Sequence, residues 1–439
     1  MRVLLLALSL LALPAAAQDL QQVYRDAKSY DAQYAAARYA LQAGLEKLPQ
    51  GRALILPTLN LSGNATNTRT ETEPHNSAVG AATLRDARSH GYSLSFSQPI
   101  YRRQNSLQYS QAEFQVKQAG ATFGQAGQDL IVRTAQAYFD VLAAQDTLAL
   151  VQAQKAAISE QLAQARRNFE VGAATITDTH EAQARFDLSS SQEIAALNDL
   201  DTKKSALQQI TGKQYAALKP LRAEVKLTPP NPANMQSWVE VAEKQGFPVQ
   251  IQESAAEIAQ LEAKRQAAGH YPTVDLVASH GWTSQTASQL SAVPSNVTSS
   301  VFGVQLGLPL YQGGAISSRE REAAALYEKS KQDLENARRG QALSARQTYL
   351  AVTNGIAQVG ALEQALVSSQ SALDSNKLGY EVGVRINIDV LNAQQQLFST
   401  RRDLAVARYN TITSHLRLKA AAGSLRDEDL EEVNRALIP

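Results

Sequence analysis

The residue types that usually carry chemistry are present here without the spacing that chemistry needs. The six histidines, His75, His90, His180, His270, His280 and His415, are scattered and form no HExxH or other metal-ligand pattern. There is no cysteine, so thiolate catalysis, a thiolate metal site, a disulfide and a lipid-modified cysteine are excluded. No Walker A sequence occurs, and Gly120, Gly124 and Gly127 lie in a helical stretch with no strand before them, unlike a dinucleotide loop. Carboxylate pairs fall on polar helix faces, where solvated charge is the default. The chain therefore reads as a non-enzyme with no cofactor and no metal. Two short segments stand out instead, FEVGAATITD at 169–178 and YEVGVRINID at 380–389. Glycine accepts the left-handed conformation without penalty, so Gly172 and Gly383 suit the point where a helix ends and reverses. Asp178 and Asp389 then read as N-caps of the returning helices, their carboxylates accepting from free backbone N–H groups.

These segments are two copies of one pattern, offset by 211 residues. At the same offset Tyr138 meets Tyr349, Leu162 meets Leu373, Ala182-Gln183 meets Ala393-Gln394, and Gly212 meets Gly423. LPTLNL from Leu56 pairs with YPTVDL from Tyr271, and QPIY ending at Tyr101 pairs with LPLY ending at Tyr311. Matched prolines, glycines and aspartates in one order indicate an internal repeat. The halves run over 18–212 and 236–423. Each opens with a helix of about thirty residues (Leu20 to Lys47, Trp238 to Ala268), followed by a strand, a polar loop, a second strand and a long helical hairpin. The strands are expected at 54–67 and 91–101, and at 272–284 and 301–311. A connector over 213–235 carries Pro220, Pro229, Pro230 and Pro232, which break any helix. A short tail, 424–439, closes the chain.

The elements that carry the two turns are unusual in length. No proline occurs from Arg103 to about Asn168 or from Ala315 to about Lys377. Roughly 65 residues at 1.5 Å each give a rod near 100 Å, far beyond what a globular domain needs. In the second rod Tyr349, Val352, Ile356, Val359, Glu363, Leu366, Gln370 and Leu373 step by three and four, a coiled-coil seam with polar interruptions. Tyr138, Val141, Leu148 and Leu162 mark a weaker seam in the first. An ordinary antiparallel bundle would fit these segments taken alone.

The strands alternate. Leu59, Leu61, Gly63 and Ala65 share one parity, as do Tyr92, Leu94 and Phe96, then Val274, Leu276, Ala278 and Trp282, then Phe302, Val304, Leu306 and Leu308. Period two means one apolar and one polar face, which serves a small wet sheet or a membrane barrel. The start of the chain favours export. Met1 and Arg2 precede a largely apolar run from Val3 to Leu13, and Ala15-Ala16-Ala17 offers a cleavage pattern, so residues 1–17 read as a signal peptide. No later stretch is long and apolar enough for a transmembrane helix. Without Arg2 the 42 basic residues fall to 41, matching the 41 acids, which excludes the basic face of a nucleic-acid binder. Four strands cannot close a barrel, since about eight is the smallest that does. In lipid the open edges must meet another copy, so the chain is expected to oligomerise.

VGAATITD and VGVRINID, with LPLYQGG at 308–314, RYNTITSHLRLKAAAG at 408–423 and the proline-led strands at Pro57 and Pro272, resemble the TolC family of outer-membrane efflux proteins over nearly the whole chain. The resemblance implies a membrane α+β fold. A trimer would form a twelve-stranded barrel in the outer membrane, four strands per copy, continued by a twelve-helix periplasmic barrel of coiled-coil hairpins. It implies a passive exit duct for a tripartite efflux pump or type I secretion system in a Gram-negative cell. The partners would be a periplasmic adaptor and an inner-membrane transporter of the RND, ABC or MFS class, with outer-membrane lipid around the barrel. It implies a gate at the tips, in which Asp178 pairs with Tyr380 and Arg385, partly between protomers, with Thr177 on the neighbouring backbone side. Charge-assisted bonds of this kind are stronger than neutral ones, yet near the surface a pair is worth only about 1 kcal/mol, so the ring can open. An ordinary surface salt bridge is the alternative. Asp389 matches the first of two entrance positions where aspartate rings bind cations, and Asn392 stands where the second aspartate would be, so cation block is expected to be weaker. The rival from another class is a soluble periplasmic coiled-coil scaffold.

Overall fold

The computed structural model describes residues 17–73, 75, 83–172, 175–222, 225, 227–286 and 293–438. The expected leader over 1–17 falls almost wholly outside them. In chain order the elements are α1 (Leu20–Tyr30), α2 (Ala32–Leu45), α3 (Lys47–Ala53), β1 (Thr58–Thr72), β2 (Thr83–Tyr101), α4 (Arg103–Glu170) and α5 (Ile176–Thr211). Then follow α6 (Met235–Gln245), α7 (Phe247–Ala267), β3 (Thr273–Gln285), β4 (Ser295–Gly307), α8 (Ala315–Glu381), α9 (Asn387–Ala421) and α10 (Asp427–Arg435). The chain forms two compact units, one of the residues up to Ala40, Ala121–Gln250 and those from Glu335 on, the other of Leu41–Gly120 and Ile251–Leu334. Neither unit coincides with a sequence half, because α4 and α8 each contribute to both.

The first unit is helical. α4 has 68 residues and α8 has 67, each rich in alanine, the best helix former, and free of internal proline. The largest buried cluster brings Leu20 and Val23 of α1 against Leu130, Tyr138, Phe139 and Leu142 of α4, Leu207 of α5, Ile412 and Leu416 of α9, and Leu430 of α10, while α8 contributes to smaller clusters through Ala342, Val352, Val359 and Leu373. The connector is stitched onto this core rather than left loose. Gln18 and Leu218 form a parallel bridge, Leu221 and Leu437 an antiparallel one, and the buried Tyr138 hydroxyl donates to the carbonyls of Gln18 (3.2 Å) and Lys219 (2.8 Å). Asp26 accepts from Lys213 Nζ at 2.8 Å and Tyr215 Oη at 2.9 Å. Tyr409 donates to Asp146 at 2.6 Å, and burial raises the Asp146 carboxyl above its usual range despite that bond. In the α8 seam Val352, Val359 and Leu373 are buried, and the two polar interruptions are paired: Arg408 donates to Glu363 at 2.7 Å and Arg401 to Gln370 at 3.0 Å.

The single opening helices expected in each half are broken. α1 stops at Asp31, whose carboxylate accepts the Tyr34 N–H at 2.6 Å and takes the Arg133 fork at 3.0 and 3.1 Å, restarting the helix as α2. In the second half α6 ends before Gly246, and α7 begins with Phe247-Pro248, a proline tolerated only in a first turn.

The second unit holds an antiparallel sheet in the order β1-β2-β3-β4. The register aligns the apolar positions of all four strands: Leu59 faces Phe96, Phe96 faces Ala278, and Ala278 faces Phe302. Three residues along each strand Ser62, Ser93, Gly281 and Ser299 line up in the same manner on the other face. Because the side-chain period is two, this register alone separates an apolar from a polar face. Among the described residues β1 and β4 are the outer strands, each with one edge lacking a strand partner. Phe302 is 78 % exposed and Leu61 74 %, so the apolar face is uncovered in the single chain.

The strand limits differ from expectation. Residues 54–56 close the turn after α3, bonding back to Gly51, Arg52 and Ala53, so β1 starts at Thr58. It continues to Thr72 because β2 begins at Thr83, not 91, and backbone ladders pair polar segments as readily as apolar ones. β4 covers Ser295–Gly307 rather than 301–311, since Pro309 cannot donate to a ladder. At the base of the sheet Arg102 grips Asp275 with two bonds, 2.7 and 2.6 Å. In the same unit Glu262 of α7 accepts from Arg265 (2.7 Å twice), Gln111 of α4 (3.0 Å) and Gln266 (2.5 Å). The Arg265 guanidinium, with the two amides, pulls its carboxyl down to about 2. No helix among the described residues is long and apolar enough to cross a membrane.

Candidate functional site: the hairpin tips

Each long hairpin turns where the sequence places a glycine. α8 ends in a Schellman arrangement: Gly383, at φ +77°, donates to the Tyr380 carbonyl at 3.1 Å, and Val384 donates to Gly379 at 2.9 Å. Gly172 follows α4 with φ +73° and donates to Phe169 at 2.9 Å. Residues 173–174 of the first turn lie outside the described residues. Left-handed φ at these two points is what permits α5 and α9 to run back.

The aspartates do not cap as expected. Thr175 is the N-cap of α5, and Asp178 is its third helical residue, closing a capping box: the Asp178 carboxylate accepts from the Thr175 N–H (3.0 Å) and hydroxyl (2.8 Å). The Thr175 hydroxyl in turn reaches forward to accept the Asp178 N–H at 3.4 Å. In α9 the cap position is Ile386, which offers no side-chain acceptor, and Asp389 again stands third, in the first turn where a negative charge suits the helix dipole. Arg385, exposed, lies 3.7 Å from the half-buried Asp389. Tyr380 accepts from Asn168 Nδ2 at 3.3 Å, joining α8 to α4, and Thr177 is exposed. Within one protomer, then, Arg385 and Asp389 are together, Tyr380 belongs to a contact between hairpins, and Asp178 bonds locally to Thr175.

Other polar groups join the two hairpins, and their residue types alone did not mark them. Arg185 of α5 donates to Gln395 Oε1 at 2.7 Å and to Asn392 Oδ1 at 2.9 Å, both on α9. Asn392, which stands where the resemblance implied a second ring aspartate, is thus an acceptor for the Arg185 guanidinium. Gln161 of α4 donates to Asn387 Oδ1 at 2.5 Å, with both side chains buried. The signal for Asn387 was available: it stands seven residues before Gln394, interleaved with Val390, Leu397 and Leu404, which is heptad spacing with polar residues at one core position. Around this bond Ile158, Leu162, Ala165, Ala182 and Leu391 form a small apolar cluster. Among the described residues no group of three or more histidines and carboxylates is arranged to hold a metal.

The family described as Outer membrane efflux protein matches residues 15–213 and 248–424. The Outer membrane protein TolC of Vibrio cholerae is 32% identical over 424 residues, covering 96% of this chain and 94% of that one. The Proteases secretion protein PrtF of Dickeya chrysanthemi is 31% identical over 428 residues, covering 95% and 91%. In fold the chain is similar to the outer membrane protein VceC from Vibrio cholerae, at a TM-score of 0.78 and 19% identity over 92% of this chain and 96% of that one. The matched segments take in all four strands and both helical hairpins; this chain belongs to the outer membrane efflux protein family.

Proposed function

We propose that the chain is one protomer of a homotrimeric channel-tunnel, a conduit and not an enzyme, which provides a passive exit duct across the outer membrane. The sheet carries this reading. Four strands with an uncovered apolar face, an opposite polar face and two open edges form an unfinished wall, and in lipid such edges must be paired. Each strand has 13 residues or more, above the length of about ten that a tilted membrane strand needs. The protomer lies in the outer membrane of a Gram-negative cell and extends its long hairpins into the periplasm. A periplasmic adaptor and an inner-membrane transporter of the RND, ABC or MFS class engage it there and supply the energy. The duct serves an efflux pump or a type I secretion system, and the pump selects the cargo. The two halves, 18–212 and 236–423, are duplicated copies of one strand-and-hairpin unit joined by the connector.

At the tips Asp178, Thr177, Tyr380 and Arg385 form the gate, and Asp389 lines the entrance. Support comes from their placement: Arg385 and Thr177 are exposed, Asp178 and Tyr380 half-buried, so each keeps surface from which a neighbouring copy is bonded. The test is purification of the mature protein from membranes followed by planar-bilayer recording. A detergent-dependent trimer that conducts is expected. A stable monomer in plain buffer, inserting no channel, overturns the reading.

A further inference from the structure

Where the two hairpins of one protomer meet near the tips, polar groups occupy places that an apolar seam would normally fill. On α9 Val390, Leu397 and Leu404 supply one buried heptad position, while Asn387 and Gln394 supply the other at 1 % and 4 % exposure. Asn387 Oδ1 is bonded to Gln161, but Asn387 Nδ2, Gln394 Oε1 and the Thr179 hydroxyl of α5 are buried without a hydrogen-bond partner. A buried polar atom without a partner costs more than an ordinary bond returns, so this packing holds unmet demand for water. Separation of α9 from the first hairpin would hydrate those atoms. Across the same boundary, two turns from the Gly172 end of α5, Arg185 spans to Asn392 and Gln395 on successive turns of α9.

We propose that Arg185 is a clasp between the hairpins, holding α9 against α5 in the resting duct while the unsatisfied amides of Asn387 and Gln394 favour release. The inference rests on the exit-duct reading. Arginine suits the task because its planar fork reaches two acceptors at once, which fixes the register of α5 on α9; lysine offers a single point charge. The acceptors are neutral amides at an exposed surface, so the clasp is firm in geometry and modest in strength. It is distinct from the Arg385–Asp389 pair, which lies within one element and its own turn and joins no two hairpins.

Single-channel recording on the full trimer tests it. Arg185→Ala is expected to raise the fraction of time in high-conductance states about fivefold, the factor to which a loss of about 1 kcal/mol corresponds. Arg185→Lys should recover part of the resting behaviour. The charge-neutral double variant Asn392→Ala/Gln395→Ala should reproduce Arg185→Ala, and it also serves if Arg185→Ala fails to assemble. Gln161→Leu/Asn387→Leu, which replaces both partners of the buried bond with apolar groups, should act in the opposite sense and prolong closed times. Recording at about 1 M salt, where screening shortens to about 3 Å, separates the clasp from a simple charge effect on ion flow. Because the chain has no cysteine, Arg185→Cys/Gln395→Cys joined by a short bismaleimide gives a further reading: the crosslinked duct should stay in its resting state. Wild-type conductance in Arg185→Ala at high salt, or a rise that vanishes there, overturns the clasp. A wild-type trimer that forms no channel overturns the duct reading instead.

Discussion

Arg385 and Asp389 stand 3.7 Å apart on one exposed turn, so within a protomer their attraction is worth at most about 1 kcal/mol. A gate built from such pairs opens easily and depends on repetition around the ring. Changing Arg385 to Ser should therefore raise single-channel conductance in a planar bilayer, and unchanged conductance would remove Arg385 from the gate while leaving the fold intact. Asp389→Asn, which removes the acid proposed to line the entrance, should raise severalfold the divalent-cation concentration needed for half block; equal block in the variant would place the cation site elsewhere. At this scale the sequence named candidate positions without showing what they touch. Aspartate after a turn glycine suggested a cap, but Thr175 captured the cap position and left Asp178 as its partner in the box. Arg185 was illegible because arginine on a polar helix face looks the same whether or not a neighbouring helix presents two amides to it.

Helices and strands were more legible, because long-range periodicity survives ignorance of neighbours. The proline-free stretches marked α4 and α8 to within a few residues of their C-terminal ends. The break at Asp31 was hidden because its cause is tertiary, the Arg133 fork from α4. Strand ends were misplaced where polar residues pair through backbone alone, as in Thr68–Thr72. The hairpin turns yield a direct prediction: Gly383→Ala forces a left-handed φ of +77° on a residue with a Cβ and should destabilise that turn by about 1 kcal/mol. Limited proteolysis at the tip is expected to quicken in the variant; an unchanged rate would show that the turn tolerates a side chain. Where α4 meets α7, Glu262 has a carboxyl held at about 2 against an ordinary 4.5, so its bonds contribute fully above 4.5 and are lost as pH falls through about 2. Glu262→Gln should lower stability at neutral pH and flatten the acid dependence between those values in a circular-dichroism titration. The same acid slope in variant and wild type would show that Glu262 does not contribute to it.

For the whole molecule the sheet decides the environment. Leu59, Phe96, Ala278 and Phe302 form an apolar row, and Ser62, Ser93, Gly281 and Ser299 a polar one; in the proposed duct the first faces lipid and the second water. Phe302→Arg should cost up to about 4 kcal/mol per copy and deplete membrane trimers, whereas Ser299→Arg should assemble normally. Equal depletion by both would overturn the distinction between the faces, and depletion by Ser299→Arg alone would reverse it. Four strands per copy and the need for partners were readable from alternation and closure; the number of partners was not, since it depends on strand tilt and stagger that no single chain encodes locally. The free edges of β1 and β4 also have a genetic consequence. Joining unlike edges makes a head-to-tail contact, so every subunit is both a donor and an acceptor of a strand. A variant damaged along β4 alone still docks through β1, and then leaves its ring unsealed. Co-expressed with a sound allele it would spoil most of the assemblies it enters, so lesions confined to one edge should behave as dominant poisons, while those that unfold the whole sheet should be recessive.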